Sequence, residues 1–221
     1  TLDLSHNLLG NQRAVRLDGA GDFVVRPLQG GLTSLNLSHN KLTCSDLPHV
    51  LPPCATLRTL VLAHNPLTLP APSASATMLL PHLPRLTHLD LSYCQLNCLP
   101  SHPLPPLLTH LDLSNNRLTN IPTTIMHPSA TPSSLSLLSI ENNEISEIPA
   151  GLLLAHPQLS CLLIAGNPQR MIRGNVVAQG GGAVVRWLQG RLPQADGLNN
   201  HNHSTYSSTM ANAPNPPLVR N

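Results

Sequence analysis

The stretch "LTHLDLSNNRLTNIP" (108–122) returns with few changes at 86–100 as "LTHLDLSYCQLNCLP". Leucine falls at 108, 111, 113 and 118, with Asn116 between the last two. Two leucines separated by one residue are the period-two sign of a strand carrying both side chains on one face. A strand that short has no stability alone. It gains a hydrogen-bonded neighbour about 4.8 Å away, and a shared apolar interior, when an equivalent strand stacks beside it.

Working outward, the template L-x-x-L-x-L-x-x-N-x-L fits from Leu32, Leu57, Leu86, Leu108 and Leu135, and in most positions from Leu159. Successive starts are 25, 29, 22, 27 and 24 residues apart, the range of leucine-rich repeats. "TLDLSHNLL" (1–9) reads as a seventh unit, truncated. Asn7 and Asn40 are 33 residues apart, room for an insertion or a degenerate piece around "LDGAGDFVV" (17–25).

The asparagine of the template has a chemical task. Just past the strand the chain turns inward and leaves backbone polar groups without ladder partners. A buried carboxamide, donor and acceptor at once, satisfies them. Asn7, Asn40, Asn65, Asn116, Asn143 and Asn167 are expected to form that ladder. Cys94 stands in for asparagine in one unit. A thiol tolerates burial but hydrogen-bonds weakly, so that rung is expected to be softer. The return halves, among them "APSASATMLLPHLP" (71–84), "SHPLPPL" (101–107) and "TTIMHPSATPSS" (123–134), are too rich in proline for long helices. "AGLLLAHPQL" (150–159) is the best short helix, ending before Pro157.

Composition agrees with a repetitive aliphatic core. The 221 residues are 41% apolar but only 2% aromatic, and charged residues make up 10%, against about 25% in ordinary proteins. A net charge of +2 generates no strong field, which argues against nucleic acid or an anionic membrane as partner. No apolar run reaches the ~18 residues of a membrane span. The five cysteines are odd in number and contain no C-x-x-C, which points to a reducing compartment and a cytoplasmic location.

The chain resembles the intracellular leucine-rich repeat proteins whose units read L-x-x-L-x-L-x-x-N-x-L-x-x-[IL]-P. Its segment "GNPQRMIRGNVVAQGGGAVVRWLQGRLP" (166–193) is similar to the C-terminal segment of the leucine-rich repeat-containing protein 40 family. That similarity rests on Gly166, Asn167, Pro168, Arg170, Arg173, Gly180, Ala183, Val184, Leu188, Arg191 and Pro193. The resemblance implies a cytoplasmic repeat protein without assigned catalysis. The expected fold class is α/β: a right-handed leucine-rich repeat solenoid, or horseshoe, with a short parallel concave sheet, an irregular convex side and a C-terminal helical cap. About seven repeats occupy 1–170 and the cap 171–193, where the glycines at 180–182 leave one helix or two open. Residues 194–221, poor in apolar side chains, read as a disordered tail.

Function is expected on the concave face, in the x positions of the strands. Aligned units give a row Asp3, Asn36, Val61, Asp90, Asp112, Ser139, Leu163 and a row Ser34, Thr59, His88, His110, Leu137, Cys161. A third, nearer the turn, runs His6, His39, His64, Tyr93, Asn115, Asn142, Gly166. His88, Asp90, His110 and Asp112 form a compact square that a zinc ion would accept. Plain solvated surface or partner contact is the better reading of it, so neither metal nor cofactor is assigned. The predicted partner-binding set is His88, Asp90, Tyr93, His110, Asp112, Asn115 and Arg117. The histidine column at 6, 39 and 64 is a secondary candidate, for pH sensing. No G-x-S-x-G elbow, phosphate-binding loop or H-E-x-x-H occurs, and no catalysis is expected. The predicted function is protein–protein binding as a monomeric cytoplasmic scaffold or adaptor. The alternative is the recognition arm of a larger signalling enzyme or receptor. The sequons at Asn36 and Asn202 read as products of the repeat and of the tail's composition, as does "NNHNH" (199–203).

Overall fold

The computed structural model describes residues 1–7, 9, 31–51, 54–68, 83–99, 104–128 and 133–192. The suggested insertion at 17–25, most of the proline-rich piece at 71–84 and the tail expected at 194–221 lie outside the described residues.

Among the described residues seven short strands pair in sequence order into one parallel sheet. They are β1 (Leu2–Asp3), β2 (Ser34–Asn36), β3 (Thr59–Val61), β4 (His88–Asp90), β5 (His110–Asp112), β6 (Leu137–Ser139) and β7 (Cys161–Leu163). The register joins the residues that the template aligns. Leu35, Leu60, Leu89, Leu111, Leu138 and Leu162 are successive partners. Each is the buried middle of its strand, and its two neighbours point away from the core. In β6 the pattern departs, because Ser139 is also buried.

The ladder runs on past the strands. Leu37, Leu62, Leu91, Leu113 and Ile140 each donate a backbone N–H to the next rung, at 2.8–2.9 Å. With the leucines that open each unit and those two past the asparagine, they make stacked aliphatic columns, nearly all fully buried. At ~1.5–3 kcal/mol for each buried leucine, several per unit, these columns offset much of the entropy of ordering the chain.

The return side is irregular, as proline demands. It contains single turns α1 (Leu47–Val50), α2 (Thr123–Met126) and α3 (Leu152–Ala155). Pro122 precedes α2 in an extended conformation, and His156 ends α3 immediately before Pro157.

His156 is a buried polar residue that the repeat pattern does not announce. It is 2% exposed. Its Nε2 lies 2.6 Å from Ile125 O and its Nδ1 2.7 Å from Ser133 Oγ. A carbonyl only accepts, so Nε2 carries the proton and Nδ1 accepts from the serine. Burial pulls the His156 pKa below 6.5, partly countered by the Ile125 carbonyl. A histidine whose folded pKa is depressed contributes stability that is full above 6.5 and is lost as pH falls. A nuclear magnetic resonance titration of the ring is expected to give a midpoint below 6.5.

Beyond β7 the chain forms α4 (Gly174–Ala178) and α5 (Gly181–Gln189). Gly180 separates them at φ 91°, a conformation glycine adopts without strain. The glycine run therefore gives two helices. Val184, Val185 and Leu188 of α5 join the core, and Arg191 stacks over Trp187 at 3.9 Å. Gly181 touches β7 closely: a β-carbon there would meet Cys161 Sγ at 2.6 Å and Leu162 N at 2.8 Å. Gly181 is the first residue of α5, so Gly181→Ala gains less than the ~1 kcal/mol of an interior position in helix propensity. It is nonetheless expected to cost a net ~1–3 kcal/mol, because strand backbone cannot retreat from the new methyl. Thermal unfolding measures the sign.

Candidate functional site

The open face of the sheet is set by strand geometry alone. Residues on either side of each buried leucine share one face, and parallel pairing places equivalent residues on neighbouring rungs. His88 thus pairs with His110 and Asp90 with Asp112. The two imidazoles stack with ring centres 4.2 Å apart and planes within 14°. Burial, and secondarily the field of His110, lower the pKa of His88. Thr87 Oγ1 and Thr109 Oγ1 each lie 2.9 Å from Nδ1 of the following histidine and hold the rings in place.

The two aspartates also serve the backbone. Asp90 Oδ1 accepts from Ser92 N at 2.9 Å and Asp112 Oδ1 from Ser114 N at 2.8 Å. Asp3 and Asn36 make the same bond at their own rungs, to Ser5 and Ser38. At Asp3 that N–H lowers the carboxyl pKa. The L-D-L-S sequence is thus a local turn cap. The sequence signal for this cap is the N-x-S or D-x-S pair at each rung, and leucine spacing does not contain it.

The third row forms a column of a different kind. His6, His39, His64, Tyr93, Asn115 and Asn142 all have φ between 51° and 58°, and Gly166 has φ 74°. Each of the first six donates its N–H to a carbonyl of the next rung. The three histidines and Tyr93 stack with ring centres 4.0–4.3 Å apart. Asn142 Nδ2 then donates to Asn115 Oδ1 at 3.1 Å. Desolvation between its neighbours, then the fields of His64 and His6, lower the pKa of His39. Tyr93 is 49% exposed. Left-handed backbone tolerates asparagine, histidine and glycine better than branched side chains. The mixture of those residues at one offset was the signal for this column, and periodicity of apolar residues does not contain it.

Of the predicted partner-binding set, His88, Asp90, His110 and Asp112 come together as the square. Tyr93 and Asn115 stand in the adjacent column. Arg117 is exposed one residue beyond the asparagine rung, and its N–H donates to Leu96 O at 2.8 Å. No group of three or more histidine, cysteine or carboxylate side chains is arranged to hold a metal ion among the described residues.

Beneath the face, the asparagines follow one scheme. Asn116 Nδ2 donates to Leu91 O, Leu113 O and Ser114 O, while Oδ1 accepts from Cys94 N and Leu96 N. Asn40, Asn65 and Asn143 likewise reach the preceding rung and their own turn. Asn167 does so half-buried. Asn7 differs from the buried carboxamide expected of it: it is exposed, and its bonds among the described residues lie within its own turn, to Leu4 O and Ser5 O. At the Cys94 rung the thiol faces Leu62 O and Ser92 O at 3.2 and 3.3 Å. Leu67 N, without a side-chain acceptor there, donates to Cys94 O and Asn65 O instead. Burial pushes the Cys94 thiol up to about 12 and the Cys44 thiol up to about 11.

The family model described as Leucine Rich Repeat matches residues 31–54, 85–108 and 107–127. The three matches contain β2, β4 and β5 respectively. With the parallel sheet, its aliphatic columns and its asparagine rungs, they make this chain a leucine-rich-repeat solenoid.

Proposed function

We propose that the protein is a non-catalytic binding module that takes a protein partner on the open face of its sheet. The observation that carries this reading is the square of His88, Asp90, His110 and Asp112, side by side on two rungs and reachable by solvent. Repeat solenoids offer such extended faces to partners. Tyr93, Asn115 and Arg117 extend the contact surface, and the scarcity of aromatic anchors suits a polar interface of moderate affinity.

A monomeric scaffold or adaptor of the cytoplasm is the setting that fits best. All five cysteines are free thiols, the state a reducing compartment maintains. No helix among the described residues is long and apolar enough to cross a membrane. The weak net charge supports a protein partner over nucleic acid. Kinship of the 166–193 segment with the leucine-rich repeat-containing protein 40 family belongs to the same proposal and rests on the residues quoted for it.

The test is a double replacement, His88→Ser with His110→Ser. Ser34 already occupies the equivalent place in β2, so the fold tolerates the change. The thermal midpoint is expected to stay within about 1 °C, as surface substitutions alter stability little. In quantitative affinity capture, a protein retained by the natural chain is expected to be lost by the double variant. Equal retention by both rejects the square as the docking place.

A further inference from the structure

The hydrogen bonds under the square fix the protonation pattern of its upper surface. Thr87 Oγ1 gives its single proton to Arg58 O at 3.0 Å, and Thr109 Oγ1 gives its proton to Thr87 O at 2.9 Å. A hydroxyl has one proton, so each Oγ1 can only accept from the neighbouring imidazole. Nδ1 of His88 and of His110 therefore carries the ring proton, at 2.9 Å from its threonine. In the neutral rings Nε2 is a bare lone pair. Each aspartate spends Oδ1 on a serine N–H and retains Oδ2. With its rings neutral, the square presents two imidazole nitrogens and two aspartate Oδ2 atoms, all acceptors, with the rings 4.2 Å apart.

We infer that the partner seats a basic segment here, with an arginine or lysine over the junction of β4 and β5. This rests on the reading of the open face as the docking surface. Such a segment complements the acceptors of the square. Arginine has five N–H donors in a planar fork and no acceptor, and lysine has three donors. An acidic segment would meet two carboxylates and find no donor.

The charged and titratable neighbours among the described residues are Arg58 before β3, His64 and Tyr93 of the adjacent column, Arg117 past the asparagine rung of β5 and Glu141 after β6. The residues that flank the square in register are uncharged: Thr59 and Val61 on β3, Leu137 and Ser139 on β6. Protonation converts Nε2 from acceptor to donor and makes the ring a cation. Binding of a basic segment therefore weakens as pH falls through the histidine range.

The experiment titrates the full chain with two peptides, acetyl-AARARAA-amide and acetyl-AAEAEAA-amide, by nuclear magnetic resonance at pH 7.5 and 5.5. The arginine peptide is expected to shift the His88 and His110 ring signals at pH 7.5, and to bind about tenfold more weakly at pH 5.5. The double variant Asp90→Asn with Asp112→Asn is expected to lose about tenfold at pH 7.5. That variant keeps its turns, since Asn36 makes the same cap in β2. The glutamate peptide shifting the square instead overturns the inference, as does equal binding of the arginine peptide by natural chain and variant. Shifts confined to Leu137 and Leu163 overturn it while leaving the open face as a docking surface. No shift anywhere on that face also overturns it, while the docking reading stands or falls on the His88→Ser, His110→Ser capture.

Discussion

Asn116→Ala is expected to cost ~2–6 kcal/mol of stability, because two buried backbone donors lose their acceptor and each such orphan costs ~1–3 kcal/mol. The donors are Cys94 N and Leu96 N, bonded to Asn116 Oδ1 at 3.0 and 2.9 Å. Leu91 O loses a donor as well, whereas Leu113 O keeps Asn143 Nδ2 and Ser114 O keeps Tyr93 N. The damage lies between two rungs, so neither can repair it by a local shift. Cys94→Ala is the internal comparison. No backbone N–H depends on its side chain, and Leu67 N already has two carbonyl acceptors. Its cost is expected to be about 1 kcal/mol, that of one weak hydrogen bond. Chemical denaturation of both variants checks the order. An Asn116→Ala midpoint equal to that of the natural chain would remove the asparagine's structural role.

Leu111→Ala is the second large effect, expected at ~2–5 kcal/mol, the transfer loss plus the cavity it leaves. Leu111 has no exposed surface and sits in register between Leu89 and Leu138. Strand backbone on both sides is held by hydrogen bonds, so the site collapses poorly and the upper half of that range applies. In a solenoid the loss falls on two interfaces at once, since each rung packs only on its neighbours. The same substitution at Leu2, half-buried in β1 with a described neighbour only in β2, is expected to cost far less. Denaturant midpoints at constant m-value measure the difference.

How much of this is legible in the sequence depends on which physics is asked for. The spacing of Leu111 and Leu113 fixes a strand and its inward face, and the 22- to 29-residue recurrence fixes the stacking. The register of seven strands follows from those two facts. The asparagine positions follow from the need to satisfy a turn. What escapes is whatever depends on the sign of a dihedral or on a partner far along the chain. The left-handed column from His6 to Gly166 belongs to the first kind: apolar periodicity is blind to φ. His156 belongs to the second, since Ser133 and Ile125 stand 23 and 31 residues away. Asn7 shows a third limit. A template assigns the same role to every copy, but Asn7 is exposed and bonds to Leu4 O and Ser5 O of its own turn. At the candidate site, register placed His88 beside His110, while their shared tautomer required the threonine bonds of the folded chain.

Amide hydrogen exchange followed by mass spectrometry tests the continuous ladder most directly. The account predicts that segments 59–64, 88–93, 110–115 and 137–142 exchange slowest and together, as one cooperative sheet. The return pieces around 120–128 and 148–156 should exchange earlier. Exchange of 110–115 as fast as those return pieces would contradict a shared parallel sheet, and with it the open face on which the proposed binding function depends.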